Sequence, residues 1–238
     1  MNHPVLPSST PVLAGRGLSA HRDGCAVHEV TLEFIAGDFC TLRGEPGSGR
    51  TLLLRLLGLL ERPESGDVLV EGVGTSEFDE PVRDELRNRR FGFIFSAPFL
   101  LPSMTVLENI AMPLFRISQL NPEQARARTD LLLNFVGLLE AEQERIDSLS
   151  YHAQQCVALA RALATEPAVI VAEELDGPIL PEERLHFYRL LRSAAERFGV
   201  TIIAAVPPTF VEEKIDRVID IVAGRVLRDT AALRELGT

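Results

Sequence analysis

The stretch of this chain that points most directly to chemistry is GEPGSGRT, which spans residues 44–51. Gly44, Gly49 and Thr51 fit the phosphate-binding pattern G-x-x-x-x-G-K-[ST], but Arg50 stands where the pattern has lysine. Glycines let backbone N–H groups curl around a phosphate, and a helix N-terminus adds partial positive charge. The residues therefore indicate a nucleotide site with one unusual side chain, a retired nucleotide site, or a chance run of glycines.

The surroundings of the loop favour a functional origin over chance. FCTLR at 39–43 has the composition of a short strand, and TLLLRLLGLL at 51–60 predicts a buried helix that ends before Pro63. A strand before the glycines and a helix after them is the context that the motif requires. We therefore expect a phosphate-binding loop between a strand and a helix.

The rest of the chain alternates between strand and helix patterns. Strands are predicted at 26–35, 66–72, 90–95, 167–174 and 201–206, with a hairpin at 217–229 that turns at Ala223-Gly224. Helices are predicted at 105–116, 121–139, 148–165 and 181–199. Because several strands are apolar on both faces, we expect an α/β fold with a parallel sheet covered by helices. Residues 1–9 are rich in Pro and Ser and predict a flexible tail.

Composition argues against several classes of protein and of binding site. The chain has 238 residues, 46% of them hydrophobic, and a formal net charge of −10, which argues against a nucleic-acid partner. The densest basic patch, at 86–90, is interpreted as a solvated helix end. The 3 cysteines are far apart and suggest neither a disulfide framework nor a zinc site. No signal peptide or membrane-spanning stretch is expected, so the sequence predicts a cytoplasmic protein.

Further segments follow the loop in a recognisable order. They are FGFIF…LLPSMTVLENIAMPL (91–114), LSYHAQQCVALARAL (149–163), PAVIVAEELDGPIL (167–180), VTIIAAVPP (200–208) and the closing hairpin. In this order and spacing the chain resembles an ATP-binding-cassette (ABC) transporter ATPase over about residues 10–230. TVLENIAMPL is most similar to the lipoprotein-release and macrolide-export branch of that family.

The resemblance implies an architecture and a setting. It implies a P-loop NTPase core with a mostly parallel sheet, an antiparallel β-subdomain and an inserted helical subdomain at about 97–165, all within a nucleotide-binding domain of 10–238. It implies ATP and Mg²⁺ as cofactors and a multi-span membrane permease as partner. It also implies a homodimer, or a heterodimer with another ABC ATPase subunit, on the inner face of the cell membrane.

The resemblance also assigns roles to residues. Glu174 aligns with the catalytic carboxylate, while Thr51 and Glu173 align with the groups that hold Mg²⁺. His21 stands where an adenine-stacking tyrosine is usual, and Ser150 is the retained serine of the signature that faces a partner subunit. The nucleotide phosphates would lie against the loop, which is formed by Gly44, Glu45, Pro46, Gly47, Ser48, Gly49, Arg50 and Thr51.

Several positions depart from the family pattern. Ser96 replaces the glutamine, Pro207 replaces the switch histidine, Leu180 replaces the D-loop aspartate with Pro178 nearby, and Tyr151, His152 and Ala153 replace the signature G-G-Q. We expect Arg50 to keep a phosphate contact at the rim of the loop, the alternative being that it points to solvent. Tyr151 should block the close approach that glycine allows at the signature.

These changes cluster at the nucleotide interface, whereas the apolar strands are kept. The sequence therefore predicts a chain that still folds but has been released from hydrolysis. Two alternatives remain open: a fully active transport ATPase with compensated motifs, and a regulatory or structural interaction module that binds no nucleotide.

Overall fold

The computed structural model describes residues 11–117, 120–174, 178–210 and 215–231, and the predicted tail at 1–9 lies outside these ranges. Ten strands form two sheets in this part of the chain. They are β1 Leu13–Arg22, β2 Cys25–Phe34, β3 Phe39–Arg43, β4 Ser65–Val70, β5 Val73–Gly74, β6 Phe91–Ile94, β7 Val169–Ala172, β8 Thr201–Val206, β9 Arg217–Val222 and β10 Arg225–Asp229.

The larger sheet carries the loop that the sequence singles out. Its strand order is β10-β9-β3-β8-β7-β6, and all its pairings are parallel except the β9–β10 hairpin. The mostly parallel sheet is confirmed. Since the carboxyl ends of β3 and β7 lie on the same edge, the glycine loop after β3 meets the two carboxylates after β7.

The strands of this sheet are apolar on both faces because each face has its own core. In β8, Ile202 and Ala204 pack in the cluster that contains the helix Tyr151–Leu163. Ile203 and Ala205 pack on the opposite side, in the cluster that contains the helix after the loop. Side chains alternate across a strand, so a strand buried on both faces needs a continuous apolar run.

The smaller sheet is antiparallel and has the order β2-β1-β4-β5. Its first strand, β1, was not predicted from the sequence. Gly15 and Gly17 interrupt the apolar alternation, and the pairing of β1 with β2 shifts register between Gly15 and Leu18 and again between Leu18 and Ala20. A bulged strand with glycines has no regular period-2 signal.

The described part of the chain also contains six α-helices and two one-turn 3-10 helices. The α-helices are α1 Arg50–Leu57, α2 Glu80–Arg90, α3 Val106–Ile117, α4 Pro122–Phe135, α5 Tyr151–Leu163 and α6 Pro181–Phe198. The side chain of Asn121 caps α4 by accepting from the N–H of Gln124 at 2.9 Å, and Gly199 ends α6 in the left-handed conformation. In the described ranges, none of these helices is both long and apolar enough to cross a membrane.

The sequence predicts that the basic patch at the end of α2 is a solvated helix end. In the structure its arginines also contact other groups of the protein. Arg87 donates to the carbonyl of Leu59 at 2.9 Å, Arg89 pairs with Glu85 at 2.8 Å, and Arg90 pairs with Glu71 at 2.5 Å. These contacts bind the patch to the protein itself.

Candidate functional site: a glycine loop facing two carboxylates

The glycine loop links the end of β3 to the start of α1. Gly49 has a φ of 93°, and a Cβ added there would lie 2.2 Å from the carbonyl oxygen of Ala26. The carbonyl of Ser48 accepts a hydrogen bond from the N–H of Gly224 at 2.8 Å. Strand β2 and the β9–β10 turn therefore fix the loop from outside, and only glycine fits at position 49.

Arg50 is the first residue of α1, and its side chain is folded into the protein. The residue is only 6% exposed. One guanidinium nitrogen donates to the carbonyl oxygen of Gly44, and the other donates to Oε2 of Glu174. The alternative that Arg50 points to solvent is wrong. The structure also adds a partner that the sequence did not suggest, namely the carboxylate aligned with the catalytic base.

Glu173, the second carboxylate after β7, also has an arginine partner. Arg55 lies one turn after Thr51 on α1, and its Nη2 and Nε are 2.9 Å and 3.0 Å from Oε1 of Glu173. The other oxygen, Oε2, lies 3.4 Å from the backbone N–H of Ser96. Both carboxylates of the site are thus neutralised by arginines from the same helix.

A cleft of about 430 Å³ opens between the loop and the carboxylates. It is lined by Cys25, Pro46, Gly47, Gly49, Arg50, Thr51, Leu52, Arg55, Ser96, Glu173 and Glu174. The structure therefore brings together most of the loop, both acids and Ser96, as the sequence analysis expected. Thr51 is exposed and lines the cleft, and it lies on the same helix face as Arg55.

Ser96 is tied to the helix that carries the altered signature. The hydroxyl of Tyr151 donates to the carbonyl of Ser96 at 2.6 Å, and Nε2 of Gln155 donates to the same carbonyl at 2.9 Å. Nε2 of Gln155 also lies 3.0 Å from the hydroxyl of Tyr151. The Tyr151 side chain is therefore held against residue 96 of the same chain by its hydroxyl.

Ser150 caps the same helix. Its hydroxyl oxygen accepts from the N–H of Ala153 at 3.2 Å, which leaves the hydroxyl hydrogen for another acceptor. His152, the next residue but one, lies with Nε2 at 3.1 Å from Nδ1 of His186 on α6. Burial lowers the pKa of His152, and the neighbouring His186 lowers it further. Neither Ser150 nor His152 lines the cleft described above.

His21 lies on β1, outside the lining of the cleft, although the resemblance placed it at the adenine position. Its Nδ1 is 3.1 Å from Oε2 of Glu64, and its ring meets that of His28 edge to face at 5.3 Å. Arg22 binds the same carboxylate at 2.8 Å. The hydrogen bonds from His21 lower the pKa of Glu64.

Two of the remaining departures lie at chain turns near this edge of the sheet. Pro207 directly follows β8, and its carbonyl accepts from the N–H of Phe210 at 3.0 Å. Leu180 is 56% exposed and precedes α6, where its N–H donates to the side chain of Glu183 at 3.0 Å. Pro178 is exposed, and the residues between it and Glu174 lie outside the described ranges.

Sequence reasoning missed two residues beside the carboxylates. Arg55 could have been found, because it is the one charged residue in the apolar run 51–60. Tyr188 could not have been found from the sequence, because only the tertiary packing of α6 brings it near Glu174. Its side chain is 2% exposed, and burial raises its pKa, with the charge of Glu174 adding to the effect.

Comparison with known proteins identifies the family. The ABC transporter family model matches residues 27–176. The lipoprotein-releasing system ATP-binding protein LolD of Anaeromyxobacter dehalogenans is 36% identical over 204 residues, which cover 85% of each chain. The LolD protein of Bordetella pertussis is 34% identical over 201 residues, 84% of this chain and 87% of that protein.

Solved structures agree with the fold. The dimeric ABC transporter cassette MJ0796 has a TM-score of 0.79 and 26% sequence identity, and the match covers 91% of this chain and 97% of that one. The Clostridium perfringens protein cbiO1, part of an ABC transporter complex, has a TM-score of 0.84 at 21% identity over 96% of this chain and 93% of that one. The chain therefore belongs to the ABC transporter family, and within it is an ATP-binding subunit of the lipoprotein-release type.

Proposed function

We propose that this subunit docks on a multi-span membrane permease at the inner face of the cell membrane, and that its own ATP hydrolysis is weak or lost. One observation carries the second part of the proposal. The ion pair between Arg50 and Glu174 occupies Oε2 of the carboxylate that hydrolysis would need.

A carboxylate that activates water must present an oxygen to that water. Here the guanidinium of Arg50 holds Oε2 of Glu174, and the arginine itself is buried. Separating a charge-assisted hydrogen bond costs about 2 kcal/mol. Such a cost added to a barrier corresponds to roughly thirtyfold in rate. The pair alone therefore supports a slow enzyme.

The other altered positions support the same conclusion. Proline at 207 has no side-chain donor for a terminal phosphate, and Ser96 is too short to reach both a metal ion and water. Each of these two substitutions removes an electrostatic contact to the transition state. Losing one such contact commonly lowers kcat a hundredfold or more. Together with the ion pair, these losses support a site in which turnover is negligible.

The dimer follows from the way the family builds its sites, with the loop of one chain facing the signature of another. The partner is a second copy of this chain or another ABC ATPase subunit. A homodimer would combine two altered loops with two altered signatures. A heterodimer with an intact subunit would have two hybrid sites, each with one altered half.

Exposed apolar side chains support a docking face for the permease. Phe99 is 70% exposed and Phe115 is 68% exposed, and Leu101 is 39% exposed. A groove of about 270 Å³ is lined in part by Phe95 and Met112, and the ring of Phe95 meets that of Phe99 edge to face at 5.3 Å. Large exposed apolar side chains beside a groove are a feature of interaction surfaces.

Phosphate release tests the catalytic part of the proposal. The purified chain and its Glu174→Gln variant are assayed with ATP and magnesium, with an intact LolD relative as positive control. We expect the two proteins to be indistinguishable from background. Magnesium-dependent turnover that Glu174→Gln abolishes would instead support the fully active ATPase.

Capture from detergent-solubilised membranes tests the docking part. The tagged chain should retain a multi-span membrane protein, which is identified by mass spectrometry. The double variant Phe99→Ser/Phe115→Ser should lose it. Val73→Ser, at a residue 57% exposed on β5, is the matched control and should retain it. Equal capture by all three proteins would contradict this docking face.

A further inference from the structure

The residues at the position of the magnesium ion do not fit that ion. Magnesium demands near-octahedral oxygen coordination and is held in nucleotide sites by one or two protein groups together with phosphates and water. Here the carboxylate of Glu173 is only 10% exposed, and Arg55 holds its Oε1 through two nitrogens. Ser96, with its short side chain, occupies the place of the glutamine, so the described lining residues offer the hydroxyls of Thr51 and Ser96 but no carboxylate without an arginine partner.

The balance of charges across the cleft also disfavours a magnesium ion. The family pattern places two carboxylates against one lysine, which leaves an excess of negative charge that a divalent cation can offset. In this chain Arg50 and Arg55 balance Glu173 and Glu174. A magnesium ion placed beside Glu173 would also meet the guanidinium of Arg55, and like charges at such short range repel.

Arg55 is placed to contact a ligand as well as Glu173. Its side chain is 45% exposed, it lines the cleft, and it is four residues after Thr51 on α1, which puts both on one helix face. Guanidinium groups bind phosphate oxygens through paired hydrogen bonds. The phosphate chain of a nucleotide that lies on the loop would therefore meet Arg55 on its way past Thr51.

From this geometry we infer that the cleft binds the phosphate chain of a nucleotide without magnesium, with Arg55 supplying the positive charge. The inference rests on the proposed function, since it concerns the nucleotide site of an ATP-binding subunit. It adds that binding is metal-independent and that the acids oppose it. Glu173 competes with the ligand for Arg55, and Glu174 competes with it for Arg50.

The inference reverses the usual effect of one substitution. In a site that needs magnesium, removing the carboxylate at the position of Glu173 removes the metal and weakens nucleotide binding. In this chain, Glu173→Gln releases Arg55 from its ion pair. Metal-free nucleotide binding should then become several-fold tighter.

Calorimetric titration with ATP in excess EDTA and in excess magnesium tests the inference on the full chain. The wild-type dissociation constants in the two buffers should agree within about threefold, a difference of about 0.7 kcal/mol. Arg55→Leu should weaken binding in EDTA by about tenfold, the size of one charge-assisted hydrogen bond. Arg89→Leu, which removes an exposed arginine paired with Glu85 on α2, is the matched control and should bind as the wild type does.

The outcomes separate the inference from the proposed function. Wild-type affinity that magnesium raises tenfold or more, or no ATP binding in either buffer, overturns metal-independent binding. Weaker binding by Glu173→Gln in EDTA also overturns it. Tripolyphosphate in place of ATP identifies the source of the phosphates, and binding as tight as that of ATP would contradict a nucleotide as the ligand. Docking on the permease and phosphate release are measured independently, so they can stand when metal-independent binding fails.

Discussion

Arg50 and Glu174 are 124 positions apart in the chain, yet the guanidinium of one binds the carboxylate of the other. The contact joins the first residue of α1 to the end of β7, the two elements that frame the cleft. Each residue alone has a familiar counterpart in the family. Their contact means that the arginine at the lysine position is directed to a protein carboxylate, which supports the proposed loss of hydrolysis.

Gly49 is required for steric reasons as well as for its positive φ. Gly49 and Gly24 both have positive φ, but a Cβ at 49 would meet the carbonyl oxygen of Ala26 at 2.2 Å. Apart from Gly24 itself and its chain neighbours, no atom of the described chain lies within 4 Å of a Cβ at 24. We expect Gly24→Ala to cost about 1 kcal/mol of unfolding free energy. Gly49→Ala should cost at least about 2 kcal/mol. Urea denaturation of both variants gives the comparison, and equal losses would show that β2 does not constrain the loop.

The three cysteines should differ in reactivity because only one of them lines the cleft. Cys25 is partly exposed, whereas Cys40 and Cys156 are buried, and burial raises the pKa of each of these two thiols to about 12. Iodoacetamide should therefore modify Cys25 first in the native protein, and ATP should slow the reaction. Mass spectrometry identifies the site, with Cys25→Ser as control. Rapid modification of Cys40 or Cys156 would contradict the burial of these thiols.

Local sequence patterns predict several strands and turns of this fold. They do not predict contacts between residues that are distant in the sequence. The strands 39–43 and 201–206 and the turn at Ala223-Gly224 were predicted with the bounds that the structure has. They succeed because apolar runs and turn residues are local signals. Strand β1 was missed because its glycines and bulges remove the alternation.

The candidate site divides in the same way. The glycine loop, Thr51 and the two acids were predicted, and the structure places them around one cleft. The pairing of each acid with an arginine was not predicted, because an ion pair between β7 and α1 depends on sheet order and side-chain direction. His21 was predicted at the adenine position; the structure places it beside Glu64, outside the lining of this cleft, and its adenine contact stays a prediction.

His152 should make the stability of the protein depend on pH. Burial and the neighbouring His186 lower its pKa below the ordinary value of 6.5, although Glu183 opposes the shift. The unfolded chain therefore takes up a proton at this residue more readily than the folded chain does. The contribution to stability is complete above about pH 6.5 and is lost as the pH falls through and below that value.

Urea unfolding at about pH 7.5 and about pH 5.5 measures this effect. The wild type should lose more stability between the two values than His152→Gln, which has no titrating group at that position. Cys156, whose sulfur lies 3.8 Å from Nε2 of His152, is neutral at both pH values and should not contribute. Identical pH profiles for the two proteins would show that His152 titrates alike in the folded and unfolded chains.

Tyr151 should fasten the signature helix to residue 96. Tyr151→Phe removes the 2.6 Å hydrogen bond to the carbonyl of Ser96 but keeps the ring. We expect a loss of about 1 kcal/mol in unfolding free energy. Hydrogen exchange should also become faster at the amides of 95–97 and 99 relative to those of β8. Tyr188→Phe is the contrasting variant, because the Tyr188 hydroxyl is buried without a hydrogen-bond partner in the described chain, and it should leave exchange at 95–99 unchanged.

The central claim is that Arg50 and Glu174 are bound to each other rather than held ready for a nucleotide. A double-mutant cycle of urea unfolding measures this directly, using the wild type, Arg50→Met, Glu174→Gln and the double variant. We predict a coupling free energy of at least about 1.5 kcal/mol, with Arg50→Met alone losing about 3 kcal/mol because it leaves a partly buried carboxylate without its partner. Single losses that add up with no coupling, in a protein that releases phosphate from ATP, would contradict the account.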